Sequence, residues 1–126
     1  MTTMVYFRTS QGRFALPVES TLSIRTTEGM VDLPSPRPDI VGVLPGEPPL
    51  SVLSALGPGG DQVVVVVAND ICFGLQVQEV IGVRKLDDRT VGPAPMGQDS
   101  GLISGTLEGH DAITLVADAE ALALRL

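Results

Sequence analysis

The sequence predicts a mostly β protein of two similar lobes, and three observations lead there. Turn formers are abundant, with 14 glycines and 10 prolines in 126 residues, so the chain is cut into short segments instead of long helices. The apolar residues between these breaks alternate, or run as β-branched blocks such as residues 63–67. The third observation is internal repetition. FALPVESTLSI (14–24) lies over FGLQVQEVIGV (73–83), so that Phe14 meets Phe73, Leu16 meets Leu75, Val18 meets Val77, Leu22 meets Ile81 and Ile24 meets Val83. The same offset of 59 residues lays MVYFR on VVVVV and Pro34-Ser35-Pro36 on Pro93-Ala94-Pro95. After a four-residue insertion the offset is 63; Gly42 then meets Gly105, and LSVL (50–53) meets ITLV (113–116). One domain with repeat halves 1–58 and 60–126 follows. Each half is marginal alone at that size, so the lobes are expected to share an interface.

Taken in order, the elements are consistent between the halves. MVYFRTS, QGR and FALPV form a strand, a turn that Gly12 permits, and a second strand. The second half repeats this as VVVVVA, Asn69-Asp70 and ICFGLQV, and its five consecutive valines suit a strand buried on both faces. Phe14, Leu16, Phe73, Leu75 and Val77 are the side chains expected to fill the core between the lobes. A third apolar segment follows in each half, STLSI and then EVIGV, and leads to a loop ending in Pro-x-Pro, whose rings hold an extended path. A last pair of strands crosses GVLPGEPPLSVL (42–53) in the first half and GTLEGHDAITLV (105–116) in the second. Helix is expected in two places: a turn or two over residues 37–41, after Pro36, and the C-terminal DAEALALRL with Asp118 at its N-cap position.

Composition narrows the function classes. Apolar residues make up 44% but aromatics only 3%, with no Trp, so the core is built of Val, Leu, Ile and Ala. The net charge is −7 and the 8 basic residues are scattered, which leaves nothing to repay phosphate contacts and argues against nucleic acid or anionic membrane as partner. A single cysteine, Cys72, excludes an intrachain disulfide and a cysteine-cluster metal site, and its strand neighbours predict a small buried hydrophobe. The longest aliphatic run, residues 63–68, is too short to span a bilayer, and MTTMVYFR lacks the cationic start of a signal peptide; a soluble cytoplasmic protein is expected.

No catalytic residue, cofactor or metal site is expected. The sole histidine, His110, falls in the turn EGHDA, and neither an HExxH pair nor a Walker-type glycine cradle is present. Asp87-Asp88 beside Arg84, Lys85 and Arg89 read as a solvated loop. Asp99-Ser100-Gly101 matches the catalytic loop of small dimeric aspartic proteases, which sets an enzyme reading beside the others. There the Asp must end a buried strand so that two carboxylates share a proton. Here Pro95, Met96, Gly97 and Gln98 precede it, so a turn is the better account. A self-associating β-module, its strand edge modified by Pro48 and Pro49, is a further alternative.

Six blocks in this order resemble the CheW-like domain of chemotaxis coupling (adaptor) proteins, over nearly the whole chain. They are the opening strand with Gly12, FALPVESTLSI, LPSPRPDIVGVL, VVVVVANDICFGLQVQEVIGV, PAPMGQDSGLISGTLEG and ITLVADAEAL. The resemblance implies two small five-stranded SH3-like β-barrels sharing a hydrophobic interface. It implies a non-enzymatic scaffold that bridges the cytoplasmic tips of methyl-accepting chemoreceptors to a CheA-type histidine kinase, with a groove between the barrels able to take a helix. The departures lie in the first half. The family's Asn-Leu-Arg-Gly reads Leu44-Pro45-Gly46, without the arginine; Pro-Val-Ile-Asp reads Ser51-Val52-Leu53-Ser54; Val-x-Glu-Ile reads Thr21-Leu22-Ser23-Ile24. The aspartate of Leu-Leu-Asp is kept as Asp118. The resemblance therefore implies a divergent adaptor whose kinase-side interface in lobe one is altered. The partner-contact positions it carries over are Thr21, Ser23, Ile24, Gly42, Leu44, Pro45, Gly46, Glu47, Pro48, Leu50 and Val52.

Overall fold

Alternation builds the first hairpin of the structure, a computed structural model that describes residues 2–32, 39–46, 49–86, 91–92, 102–108 and 113–126. Strand β1 (Thr2–Thr9) sends Met4 and Tyr6 to one apolar cluster and Phe7 to another, as a period of two requires. It turns at Ser10 and Gln11 into β2 (Gly12–Pro17), which pairs Phe7 with Phe14; their rings stack at 6.0 Å. After a 3-10 turn (Val18–Ser20), β3 (Thr21–Thr26), β4 (Val31–Asp32), β5 (Ile40–Leu44) and β6 (Leu50–Leu53) complete the first half.

The second half repeats the series as β7 (Gln62–Ala68), β8 (Ile71–Val77), β9 (Glu79–Leu86), β10 (Val91–Gly92), β11 (Ile103–Glu108) and β12 (Ile113–Ala117), and ends in helix α1 (Ala119–Ala123). The β7–β8 turn has both Asn69 (φ 52°) and Asp70 (φ 64°) in the left-handed region, the backbone of a two-residue type I′ hairpin. Asp118 caps α1, its carboxylate accepting from the Glu120 and Ala121 amides at 3.0 and 3.2 Å.

The repeat is visible in the topology, but the lobes are not the halves. The strand order is β10-β11-β12-β2-β1-β9 in one sheet and β4-β5-β6-β8-β7-β3 in the other. Moving six strands along the chain converts each order into the other. Each sheet therefore holds four strands of one half and the leading hairpin of the other. β2 enters through parallel pairing with β12, and β8 through parallel pairing with β6. Even the bulges correspond: the β3–β7 ladder shifts between Thr21 and Ser23, the β1–β9 ladder between Val80 and Gly82. The expected five strands per lobe become six because the two-residue strands β4 and β10 join the edges. No ladder among the described residues joins the two edges of either sheet into a closed barrel.

This exchange follows from hairpins that are apolar on both faces and need cover on both. In β7, Val63 and Val65 face a core with Leu44, Leu50 and Val52, while Val64 and Val66 face the core between the sheets. That second core also contains Phe14, Leu16, Phe73, Leu75 and Val77, closed below by Leu122 of α1. The matching core of the other sheet gathers Met4, Ala15, Leu107 and Val116. The crossing from β6 to β7 is pinned to both hairpins. The Thr9 hydroxyl donates to the Leu56 carbonyl at 2.7 Å, and Gln76 Nε2 donates to that of Gly60 at 2.9 Å. Gly60 (φ 112°) lies so close to the Val77 carbonyl that a Cβ would overlap it.

Two local expectations are corrected. Ile40 and Val41, placed in a helical turn after Pro36, belong to strand β5, where Ile40 pairs with Leu53; a strand partner outweighs the local proline signal. Cys72 lies in a strand as expected but is exposed, because it sits one residue from the β7–β8 turn, beyond the reach of either core.

Candidate functional site

β3 and β9 are edge strands of the two sheets and are related to each other by the repeat. Both present aliphatic side chains to solvent: Leu22 is 63% exposed, Ile24 52%, Ile81 41% and Val83 59%. Leu22 and Ile81 occupy the two equivalent bulges, where the extra residue leaves the ladder and its side chain is re-aimed. A groove of about 230 Å³ runs here, walled by Val18, Leu22, Ile24 and Val83, with Thr21 and Ser23 also in its lining. Its floor is Val5 and Val64, both buried and themselves a repeat pair. The groove thus lies on the pseudo-twofold axis that exchanges the halves, with Val64 joining its floor to the inter-sheet core.

The charges beside it are Glu19, next to Val18, and the cations Arg25, Arg84 and Lys85. Arg84 follows Val83 and lies 5.6 Å over the Tyr6 ring; Lys85 is next and exposed. Burial pushes the Tyr6 phenol pKa up, and the Arg84 charge offsets part of that rise. The ion pairs Arg8–Glu79 and Arg125–Asp39 lie outside the groove lining. A second cavity of about 300 Å³, bordered by Phe14, Leu56, Leu102 and Ile103, is spanned by the Asp39–Arg125 pair at 3.3 Å.

The carried-over contact positions separate into two groups. Thr21, Ser23 and Ile24 come together in the groove. The others belong to the β5–β6 hairpin, on the far side of the sheet order from β3. Of these, Leu44 and Val52 are fully buried, Leu50 is 7% exposed, and Gly42 is buried with Val31 and Met30 occupying the space beside it. Leu44, Leu50 and Val52 form the core of their own sheet, and Gly42 is packed beside it, so these four frame the hairpin from within. Pro45 and Gly46 are exposed at the turn, while Glu47 and Pro48 lie outside the described residues, as do Asp99-Ser100-Gly101 and His110.

Leu22, Ile81, Val83, Val5 and Val64 were legible only as repeat partners or framework. Alternation marks them as apolar strand positions, and nothing local reveals that β3 and β9 end up at edges. Among the described residues no cluster of metal-ligating side chains occurs, and no helix is long and apolar enough to cross a membrane.

Residues 46–125 match the family model of the CheW-like domain. No curated protein matches the chain. Among solved structures it is similar to the scaffolding protein TtCheW from Thermoanaerobacter tengcongensis, at 16% identity and a TM-score of 0.84, over 96% of this chain and 91% of that one. At that identity the likeness establishes the fold.

Proposed function

Because the chain belongs to the CheW-like domain family, we propose that it couples the cytoplasmic tips of chemoreceptors to a CheA-type histidine kinase, with the groove between β3 and β9 as the seat for a receptor helix. The family is one of non-enzymatic chemotaxis scaffolds, which leaves no catalytic role for Asp99-Ser100-Gly101. The observation that carries the reading is the set of exposed aliphatic side chains on two edge strands above a preformed apolar floor. An amphipathic helix can lay its apolar stripe into such a groove, anchored by side chains at helical spacing.

The kinase-side contact is the altered one in this reading. At the β5–β6 turn Pro45 and Gly46 are exposed where the family motif carries an arginine, and Pro49 follows. Proline withholds a backbone donor, so both a charge and hydrogen bonds are lost to a partner. The buried Gly42, Leu44, Leu50 and Val52 keep the hairpin's frame while its exposed tip has diverged.

Co-sedimentation with receptor signalling fragments, and separately with the kinase regulatory domain, tests this. Receptor binding is expected and kinase binding is expected to be weaker. Leu22→Asp with Ile24→Asp should abolish receptor binding without unfolding the protein, since both side chains are already exposed. Absence of binding to either partner would overturn the proposal. Grafting Asn-Leu-Arg-Gly in place of residues 44–46 should strengthen kinase binding; an unchanged affinity would refute the altered interface.

A further inference from the structure

The repeat that forms β3 and β9 differs in charge at three positions: Glu19 against Gln78, Ser20 against Glu79, and Thr26 against Lys85. Glu79 pairs with Arg8 on the opposite face, and of the charged residues on β3 and β9 only Lys85 shares the face of Ile24 and Val83. Two residues beyond Val83, on the same face of β9, stands Lys85; two residues beyond Ile24, on β3, stands Thr26. The ladder pairs Val83 with Val5 and Lys85 with Thr3, so alternation puts Lys85 on the face that carries the groove. Arg84 belongs to the opposite face, where its guanidinium covers Tyr6. Thr26 is engaged locally, its hydroxyl accepting from the Glu28 amide at 3.4 Å. Positions exchanged by the pseudo-twofold axis fall at opposite ends of a groove that straddles it. The strand walls are therefore cationic at one end and uncharged at the other, while Glu19 lies in the turn beside Val18. Among the described residues no carboxylate pairs with Lys85, in a chain whose net charge is −7.

We propose that Lys85 is the specificity-determining residue of the groove: it receives a carboxylate borne beside the apolar stripe of the docked helix. The occupant is accordingly an amphipathic helix with an acidic residue at one end, and the apolar walls supply affinity without reading charge. This rests on the reading of the groove as a helix seat. A compact ammonium on a flexible stem suits a single carboxylate at a wet rim, where the pair is sensitive to salt.

Two synthetic amphipathic helices with the same leucine stripe separate the two claims, one flanked at its C-terminal end by Glu and the other by Lys. Fluorescence anisotropy against the intact protein is expected to give the Glu peptide an advantage of about three- to tenfold at low salt, shrinking as salt rises. Lys85→Glu should invert that preference, while Leu22→Asp with Ile24→Asp removes the binding of both peptides. If the apolar variant abolishes binding but Lys85→Glu leaves the preference unchanged, the inference is overturned and the helix seat stands. If neither peptide binds, or binding ignores the apolar variant, the helix seat fails and the inference with it.

Discussion

Tyr6 illustrates how far a single side chain reports its setting. Its ring packs against the Met4, Ala15 and Val116 core on one side and lies under the Arg84 guanidinium on the other. Burial disfavours the phenolate, so the folded-state pKa lies above the ordinary value near 10. A group whose folded pKa is raised contributes stability that is complete below the unfolded pKa and is lost as pH rises through the folded one. Urea unfolding at roughly pH 9 to 11 should therefore show stability falling more steeply for the wild type than for Tyr6→Phe. Equal slopes would place the ring in water. At this scale the sequence was readable where the signal is local: Asp118 caps the helix it was expected to cap, and Asn69-Asp70 make the turn. Cys72 was misjudged because alternation gives the period of a strand but not where its cover ends.

Among the elements, β8 runs between β7 and β6 and is buried on both faces from Phe73 to Val77. Gly74 is the narrow point. A Cβ there would lie 2.6 Å from Val63 Cγ1 and 3.2 Å from Val52 Cγ2, whereas its repeat partner in β2 is already Ala15. Gly74→Ala should destabilise by about 1–3 kcal/mol through overpacking. Chemical denaturation would show this, and an unchanged midpoint would mean that the sheet yields freely. Strand identities were legible from alternation and repetition. Edge or centre was not, because it is set by partners far along the chain: β3 pairs with β7 and β9 with β1. The same blindness turned residues 40–41 into a helix, since only pairing with β6 makes them a strand.

For the whole molecule, the exchanged hairpins make stability indivisible. Residues 1–58 lack β7 and β8, so the sheet formed by β3 to β6 loses its central strands; residues 60–126 lack β1 and β2 with the same result. Neither fragment should fold as a monomer, and mixing them should restore the β-rich circular dichroism of the intact chain. A folded monomeric fragment would contradict the topology. The intact protein should melt in one transition, because the core that joins the sheets draws on both halves. The duplication and the family resemblance were both readable in the sequence. Which hairpin completes which sheet was not, because the parallel β2–β12 and β6–β8 pairings leave no local trace.

The exchange also has a meaning for descent. A single half, copied rather than fused, can complete its sheet only with the hairpin of a twin, so its natural closed form is an intertwined C2 homodimer. In such an ancestor the groove lies on a true axis, every wall residue is present twice, and a helix is held equally well in either direction. Joining the copies through residues 54–61 releases each wall to change alone. The pair Lys85 and Thr26 records one such divergence: an ambidextrous groove becomes one with a head and a tail.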